Sequence, residues 1–167
     1  MSTQEVMPGF EVTYRLSKLE LYNWGGFPGS QEVEFDPLGT AIVGPTGSGK
    51  TTLIDALMTL LTVNPKYNLA STGGHESDRD LVSYVRGVSG AGNGSVSQEH
   101  VLRQGKVISG LCATLDNGAK SVKLGAVFSI DDTSFSAQDL KKYWIFSQSE
   151  SVNAKAPESD SLITLRQ

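Results

Sequence analysis

Thr40-Ala41-Ile42-Val43-Gly44-Pro45-Thr46-Gly47-Ser48-Gly49-Lys50-Thr51-Thr52-Leu53-Ile54-Asp55-Ala56-Leu57 spells a short apolar run, a glycine-rich turn and a helix in immediate succession. Gly44 to Thr51 fits the phosphate-loop pattern G-x-x-x-x-G-K-S/T at every position. A polyphosphate concentrates negative charge that must meet several donors at close range. Gly44, Gly47 and Gly49 lack a Cβ, so the backbone can curl with its N–H groups turned inward as an anion nest. A helix starting near Lys50 adds its positive N-terminal dipole. Lys50 is expected to reach the β- and γ-phosphates, and Thr51 to offer its hydroxyl to Mg2+. Pro45, Thr46 and Ser48 fill the loop, and Thr52 packs or caps nearby. Thr40 to Val43 reads as a buried strand entering the loop. Leu53, Ile54, Leu57, Leu60 and Leu61 mark one helix face, with Asp55, Thr59 and Thr62 mostly elsewhere, and Asn64-Pro65 stops the helix.

Outward from this segment, the 167 residues suffice for one well-buried core. A formal net charge of -4 argues against a generally basic nucleic-acid binder but leaves room for a local patch. The single cysteine, Cys112, lies in an apolar run and cannot form an intrachain disulfide, which makes a reducing, cytoplasmic setting the expectation. The N-terminus has no secretory signal pattern, and the most apolar stretch, Leu53 to Val63, is too short to span a bilayer.

Residues 1–13 read as a flexible arm. Tyr14 to Tyr22 and Gln31 to Phe35 read as two strands joined through the turn Asn23-Trp24-Gly25-Gly26-Phe27-Pro28-Gly29, an antiparallel hairpin beside the core sheet. Leu81 to Val85 fits either a short helix or a strand. Residues 87–97 are rich in Gly, Ser and Asn and read as a loop. Val107 to Leu115 and Ser121 to Ile130 flank Asp116-Asn117-Gly118-Ala119, a strong hairpin signal, and Tyr143 to Phe146 offers a further strand. Residues 149–167 form a polar tail that ends as Leu162 to Leu165 begins a new apolar pattern.

Hydrolysis also needs a second metal carboxylate and a group that orients water. Ala126 to Asp132 is the one apolar strand ending in acids, and Asp131 or Asp132 is the candidate for that carboxylate. The competing reading is a strand ending in an Asp-Asp-Thr-Ser turn. Thr72-Gly73-Gly74-His75 reads as a turn, and His75 with Glu76 and Asp78 as solvated surface rather than a metal cluster. No Asn-Lys-x-Asp segment is present to read a guanine base.

The segment Leu19-Glu20-Leu21-Tyr22-Asn23-Trp24-Gly25-Gly26-Phe27, the phosphate loop with Leu53-Ile54-Asp55-Ala56-Leu57, and Tyr67-Asn68-Leu69-Ala70 to Asp78-Arg79-Asp80 resemble the N-terminal ATPase head lobe of MukB-like SMC proteins, nearest to the JetC family of Wadjet plasmid-defence systems. The resemblance covers most of 14–148. It implies an α/β P-loop NTPase of the ABC/SMC head type, an N-terminal lobe with a mixed sheet and an antiparallel β subdomain. It also implies an incomplete half-head whose signature loop and Walker B acids lie in a C-terminal lobe beyond a long coiled coil, toward which 149–167 would lead. Two heads would sandwich two ATP molecules with Mg2+. The implied partners are the C-terminal head lobe, a second SMC head, a kleisin, winged-helix and nuclease subunits, and DNA, in a nucleoid-associated setting without a membrane.

By the same resemblance, Gly44, Pro45, Thr46, Gly47, Ser48, Gly49, Lys50, Thr51 and Thr52 would bind phosphate and Mg2+, and the Asn23 to Phe27 turn would lie beside the nucleotide. Trp24 would stack on adenine or anchor the turn from within. Arg79 would reach phosphate or DNA, or serve as a surface charge. Gln148 would be a Mg2+-sensing glutamine or a surface amide. Arg103, Lys106, Lys120 and Lys123 flank one hairpin and form a candidate DNA patch, or else solvated strand edges. Two other functions fit the phosphate loop: a self-contained small P-loop kinase or NTPase using Asp131 or Asp132, and a scaffold that binds nucleotide without hydrolysing it.

Overall fold

The computed structural model describes residues 13–67, 80–88, 101–131 and 134–150. The arm at 1–12, the stretch 68–79, the core of the Gly/Ser-rich loop and the tail from 151 lie outside them.

Seven elements follow in chain order: β1 (Arg15–Trp24), β2 (Phe27–Glu34), α1 (Lys50–Leu61), α2 (Leu81–Arg86), β3 (Val107–Asp116), β4 (Lys120–Ile130) and β5 (Lys141–Glu150). The strands make one sheet in the order β2-β1-β3-β4-β5. Every pairing is antiparallel. The β1–β2 hairpin therefore extends this sheet instead of flanking a separate one, and the expected mixed sheet is not formed among the described residues.

Alternation along the strands places Leu19, Leu21, Leu111, Ala113, Ala126, Phe128 and Ile130 on one face, and all of them are buried. α1 and α2 lie over that face and add Leu53, Ala56, Val82, Tyr84 and Val85 to the same core. Each of these larger apolar side chains is worth about 1.5–3 kcal/mol by removal from water, so the two helices and the sheet depend on one another.

Several elements depart from the sequence-based expectation for identifiable reasons. β1 continues through Asn23 and Trp24 because a bulge between Tyr22 and Trp24, with Asn23 at φ 50°, turns Trp24 into the core. The connection to β2 is thereby reduced to Gly25-Gly26. β5 is longer than Tyr143 to Phe146, since β4 pairs with it from Lys141 to Glu150. The ambiguous segment at Leu81 is helical: the Asp80 carboxylate accepts the Ser83 N–H at 2.8 Å, and Gly87 at φ 68° ends the helix. The hairpin at Asn117-Gly118 is as expected, with the Asn117 side chain accepting the Ala119 and Lys120 N–H groups.

Residues 40–43 are the main correction. They form no strand and pair with none among the described residues. The Thr40 hydroxyl accepts the Asp36 N–H at 2.8 Å and so belongs to the preceding turn. Ile42 packs on the core, whereas Val43 is 87% exposed.

The buried face of α1 also differs from the apolar stripe. Asp55 and Thr59 are buried, while Ile54 and Leu61 are exposed. The inward polar groups are satisfied: the Tyr84 hydroxyl donates to Asp55 Oδ2, and Thr59 Oγ1 donates to the Asp55 carbonyl at 2.7 Å and meets the Tyr67 hydroxyl at 3.3 Å. Burial pushes the Tyr67 phenol above its ordinary pKa.

Candidate phosphate-binding site

The glycine-rich turn runs directly into α1, whose N-terminal boundary is Gly49 at φ 94°. A left-handed residue at this position turns the chain from the loop into the helix, and glycine adopts it without strain. No side chain caps this helix end, and its first turn carries no acidic residue. The first N–H groups of α1 and the positive end of its dipole are therefore not neutralised locally. Gly44 to Ser48 are exposed, so the cradle opens to solvent. Lys50 Nζ folds back over the loop, donating to the carbonyls of Gly44 at 2.6 Å and Pro45 at 2.8 Å. Its ammonium is thus held above the turn, next to the uncapped helix end. This arrangement suits an anion with several oxygens, and the exposed loop and lysine fit a nucleotide's phosphates.

Behind the loop stands the β1–β2 turn. Trp24 is fully buried, stacks on Tyr84 at 4.8 Å between ring centroids, and donates its indole N–H to the Thr52 carbonyl at 3.0 Å. It is a turn anchor, and a ring enclosed on this scale has no face to offer an adenine. Asn23 is likewise committed to structure: its Oδ1 accepts the Gly29 N–H and its Nδ2 donates to the Ile108 carbonyl. Thr52 is buried, and a Cβ on Gly25 would lie 2.6 Å from its Cγ2. Its side chain therefore belongs to the back wall, away from the phosphate side. Phe27 closes the same wall. Its ring tip would be 2.5 Å from a Cβ on Gly49.

Arg103 holds this wall to α2, and Arg86 ties α2 to the loops at Arg103, Gly105 and Ser134. Arg86 is fully buried, with Nε donating to the Ser134 carbonyl and Nη1 to those of Gly105 and Arg103, and its guanidinium lies over the Phe135 ring. Arg103 donates to the carbonyls of Val85, Gly25 and Tyr84 at 2.8, 2.6 and 3.1 Å. Burial lowers its pKa. The half-buried Arg103 guanidinium is thus committed to backbone carbonyls, not to a DNA patch. The remaining lysines divide between two ends: Lys106 precedes β3, whereas Lys120 and Lys123 lie near the turn end of β4, roughly 25–30 Å away at the rise of a strand.

The candidate metal residues separate in the same way. Tyr22, Gly110, Val127 and Tyr143 lie in one row across the sheet, so the Trp24 end of β1 and the start of β5 lie at the same end of the sheet, with β3 and β4 between them. Gln148 pairs with Val122, roughly 17 Å further along β5, and is exposed there. It does not approach Thr51. Asp131 follows the buried Ile130, and strand alternation sends it off the helix-covered face. Its carboxylate pairs with Lys141 Nζ at 2.9 Å and Lys106 Nζ at 4.0 Å. It is a surface ion pair, not a carboxylate aimed at the loop. Asp132 and Arg79 lie outside the described residues, as do His75 and His100. Among the described residues, no cluster of three acidic, histidine or cysteine side chains could hold a metal by itself. Thr51 follows Lys50 in the first turn of α1, where its hydroxyl could serve a metal bound with the phosphates.

The hydrogen bond from Lys141 holds Asp131 below the usual carboxylate pKa, with the lysine's charge adding to it. The contribution of this pair is present above an unfolded-state value of about 3.9 and is lost as pH falls through the lowered folded value. Lys141→Ala is expected to return Asp131 toward the ordinary range, read by NMR titration of its side-chain carboxyl, and to leave nucleotide binding unchanged. An unshifted titration would contradict the pairing.

Residues 16–74 match the family described as the P-loop containing region of AAA domain. The matched stretch includes the glycine-rich loop and α1. Over 114 residues the chain is 33% identical to "Chromosome partition protein Smc" of Synechocystis sp. (strain ATCC 27184 / PCC 6803 / Kazusa), an alignment covering 65% of this chain and 9% of that relative. The match thus spans about a tenth of the relative's length. The likeness is to an SMC-like P-loop ATPase over its matched portion. Among the described residues, no helix is long and apolar enough to cross a membrane.

Proposed function

We propose that this chain is the ATP-binding N-terminal lobe of an SMC-type ATPase head. The observation that carries the reading is the exposed glycine loop at the uncapped, acid-free start of α1, with Lys50 held over it. ATP with Mg2+ would sit there, Lys50 on the outer phosphates and Thr51 on the metal. On this reading hydrolysis draws its remaining groups from elsewhere, with Asp131 engaged by Lys141 and Lys106.

A C-terminal head lobe is the partner that best suits the surface beside the loop. Val43, just before the loop, and Ile54, in the second turn of α1, expose large apolar side chains, a pattern that burial against a further strand or helix would relieve. On this reading a second head completes the ATP site. The complex would translocate or extrude DNA in the manner of MukB-like condensins, and by its nearest resemblance it would act as the JetC component of a plasmid-restricting Wadjet system with kleisin, winged-helix and nuclease subunits. The DNA contacts and the nucleoid-associated location rest on that resemblance, since Arg103 and the hairpin lysines form no patch.

Turnover distinguishes this half-head from a self-contained kinase or NTPase. The full-length protein is expected to hydrolyse ATP and to lose that activity on Lys50→Ala, while this chain alone shows none. Robust turnover by the chain alone, abolished by Asp131→Asn, would contradict the half-head. A full-length protein that binds but never hydrolyses ATP would instead favour a scaffold.

A further inference from the structure

Phe27 is the first residue of β2, and its ring reaches across to the phosphate loop. The position a Cβ would take on Gly49 lies 2.5 Å from Phe27 Cζ and 3.1 and 3.3 Å from the two Cε atoms. The tip of the ring thus occupies the space that any side chain at Gly49 would need. Gly49 is the residue whose left-handed φ of 94° directs the first amides of α1. A rigid aromatic tip against its Cα limits how far this joint can move.

The turn that carries the ring is held in place. The preceding Gly25, at φ 53°, donates its N–H to the Tyr84 carbonyl at 2.8 Å, and its own carbonyl accepts from Arg103 at 2.6 Å. Its Cα faces Thr52 in the first turn of α1. Trp24 adds the hydrogen bond to the Thr52 carbonyl. The turn before Phe27 is tied to α1 by Trp24 and Gly25 and to α2 by Gly25 and Arg103.

We propose that Phe27 is a positioning residue for the phosphates, acting through Gly49 to fix the direction of the Lys50 and Thr51 amide donors. The proposal rests on the nucleotide-binding reading above and adds a residue that the loop motif does not contain. Preorganised donors bind an anion without the cost of ordering the loop, and misplacement by a fraction of an ångström weakens every donor at once.

The test measures binding of a fluorescent ATP analogue with Mg2+ to the full chain, well below the melting temperature of each variant, together with the backbone amide NMR signals of Gly49 and Lys50. Phe27→Ala is expected to weaken binding about tenfold, and Phe27→Leu, which keeps bulk but lacks the ring tip, about threefold. The Gly49 and Lys50 amide signals should shift in the same order, a response that loss of overall stability alone would not produce. A folded Phe27→Ala variant with wild-type affinity would overturn the proposal. Should Phe27→Ala fail to fold, the Phe27→Leu comparison decides, and wild-type affinity there overturns it equally. Failure of the wild-type chain to bind the analogue would instead strike the nucleotide reading itself.

Discussion

Trp24→Ala is expected to destabilise the fold by about 3–5 kcal/mol, the range for removing a large buried aromatic. Trp24 is fully enclosed, stacked on Tyr84 and 6.0 Å from the Phe128 ring, so truncation leaves a cavity bounded by side chains from β1, α2 and β4. It also removes the indole N–H bonded to the Thr52 carbonyl. Because Tyr84 in turn bonds Asp55, the loss loosens the contact between α2 and α1 as well. Urea unfolding followed by far-UV circular dichroism would register the change as a large fall in midpoint. Trp24→Phe retains most of the ring stacking and should cost less than half as much. A Trp24→Ala variant as stable as the wild type would mean that this residue is not the anchor of the turn.

Gly49→Ala carries the second large effect, on binding rather than on the core. An alanine at φ 94° pays the left-handed penalty of about 1–2 kcal/mol. Its Cβ would also stand 2.5 Å from Phe27 Cζ, nearer than such atoms approach. The Phe27 ring, the loop or the hairpin must give way, and Arg103 and Trp24 resist movement of the hairpin. ATP affinity is expected to fall about a hundredfold, as when donors shift by an ångström. Equilibrium titration with a fluorescent ATP analogue reads it directly. Combining Gly49→Ala with Phe27→Leu should recover part of the loss, because the ring tip is then gone; no recovery would place the whole effect in the backbone.

Local signals made much of this architecture legible before the structure. The glycine loop, the start of α1, and the β3–β4 hairpin each follow from a few neighbouring residues whose backbone requirements are strong. What was not legible depends on distant partners. Asp55 and Thr59 interrupt the apolar stripe of α1, yet they are buried because Tyr84 and Tyr67 come from other parts of the chain to bond them. Arg103 resembled a surface charge, and only the fold shows three backbone carbonyls converging on it. α2 could have been recognised from Asp80, Ser83 and Gly87, an N-cap and a C-terminal glycine at helix spacing.

The site was legible to a similar degree. Lys50 and Thr51 are marked by their pattern, whereas Gln148 rests on a resemblance and Asp131 on its place at a strand end, neither of which fixes the face or end they occupy. Register decides both: Gln148 falls opposite Val122, and Asp131 falls beside Lys141. Residues 40–43 show the opposite limit. Their apolar character suited a buried strand, but a strand needs a hydrogen-bonding neighbour, and the described residues supply none.

Isothermal titration of ATP into the full chain, with and without Mg2+, tests the central claim most directly. Saturable binding of one ATP per chain, strengthened by Mg2+ and lost in a folded Lys50→Ala variant, is the predicted result. No binding by the wild type, or equal binding by Lys50→Ala, would contradict it.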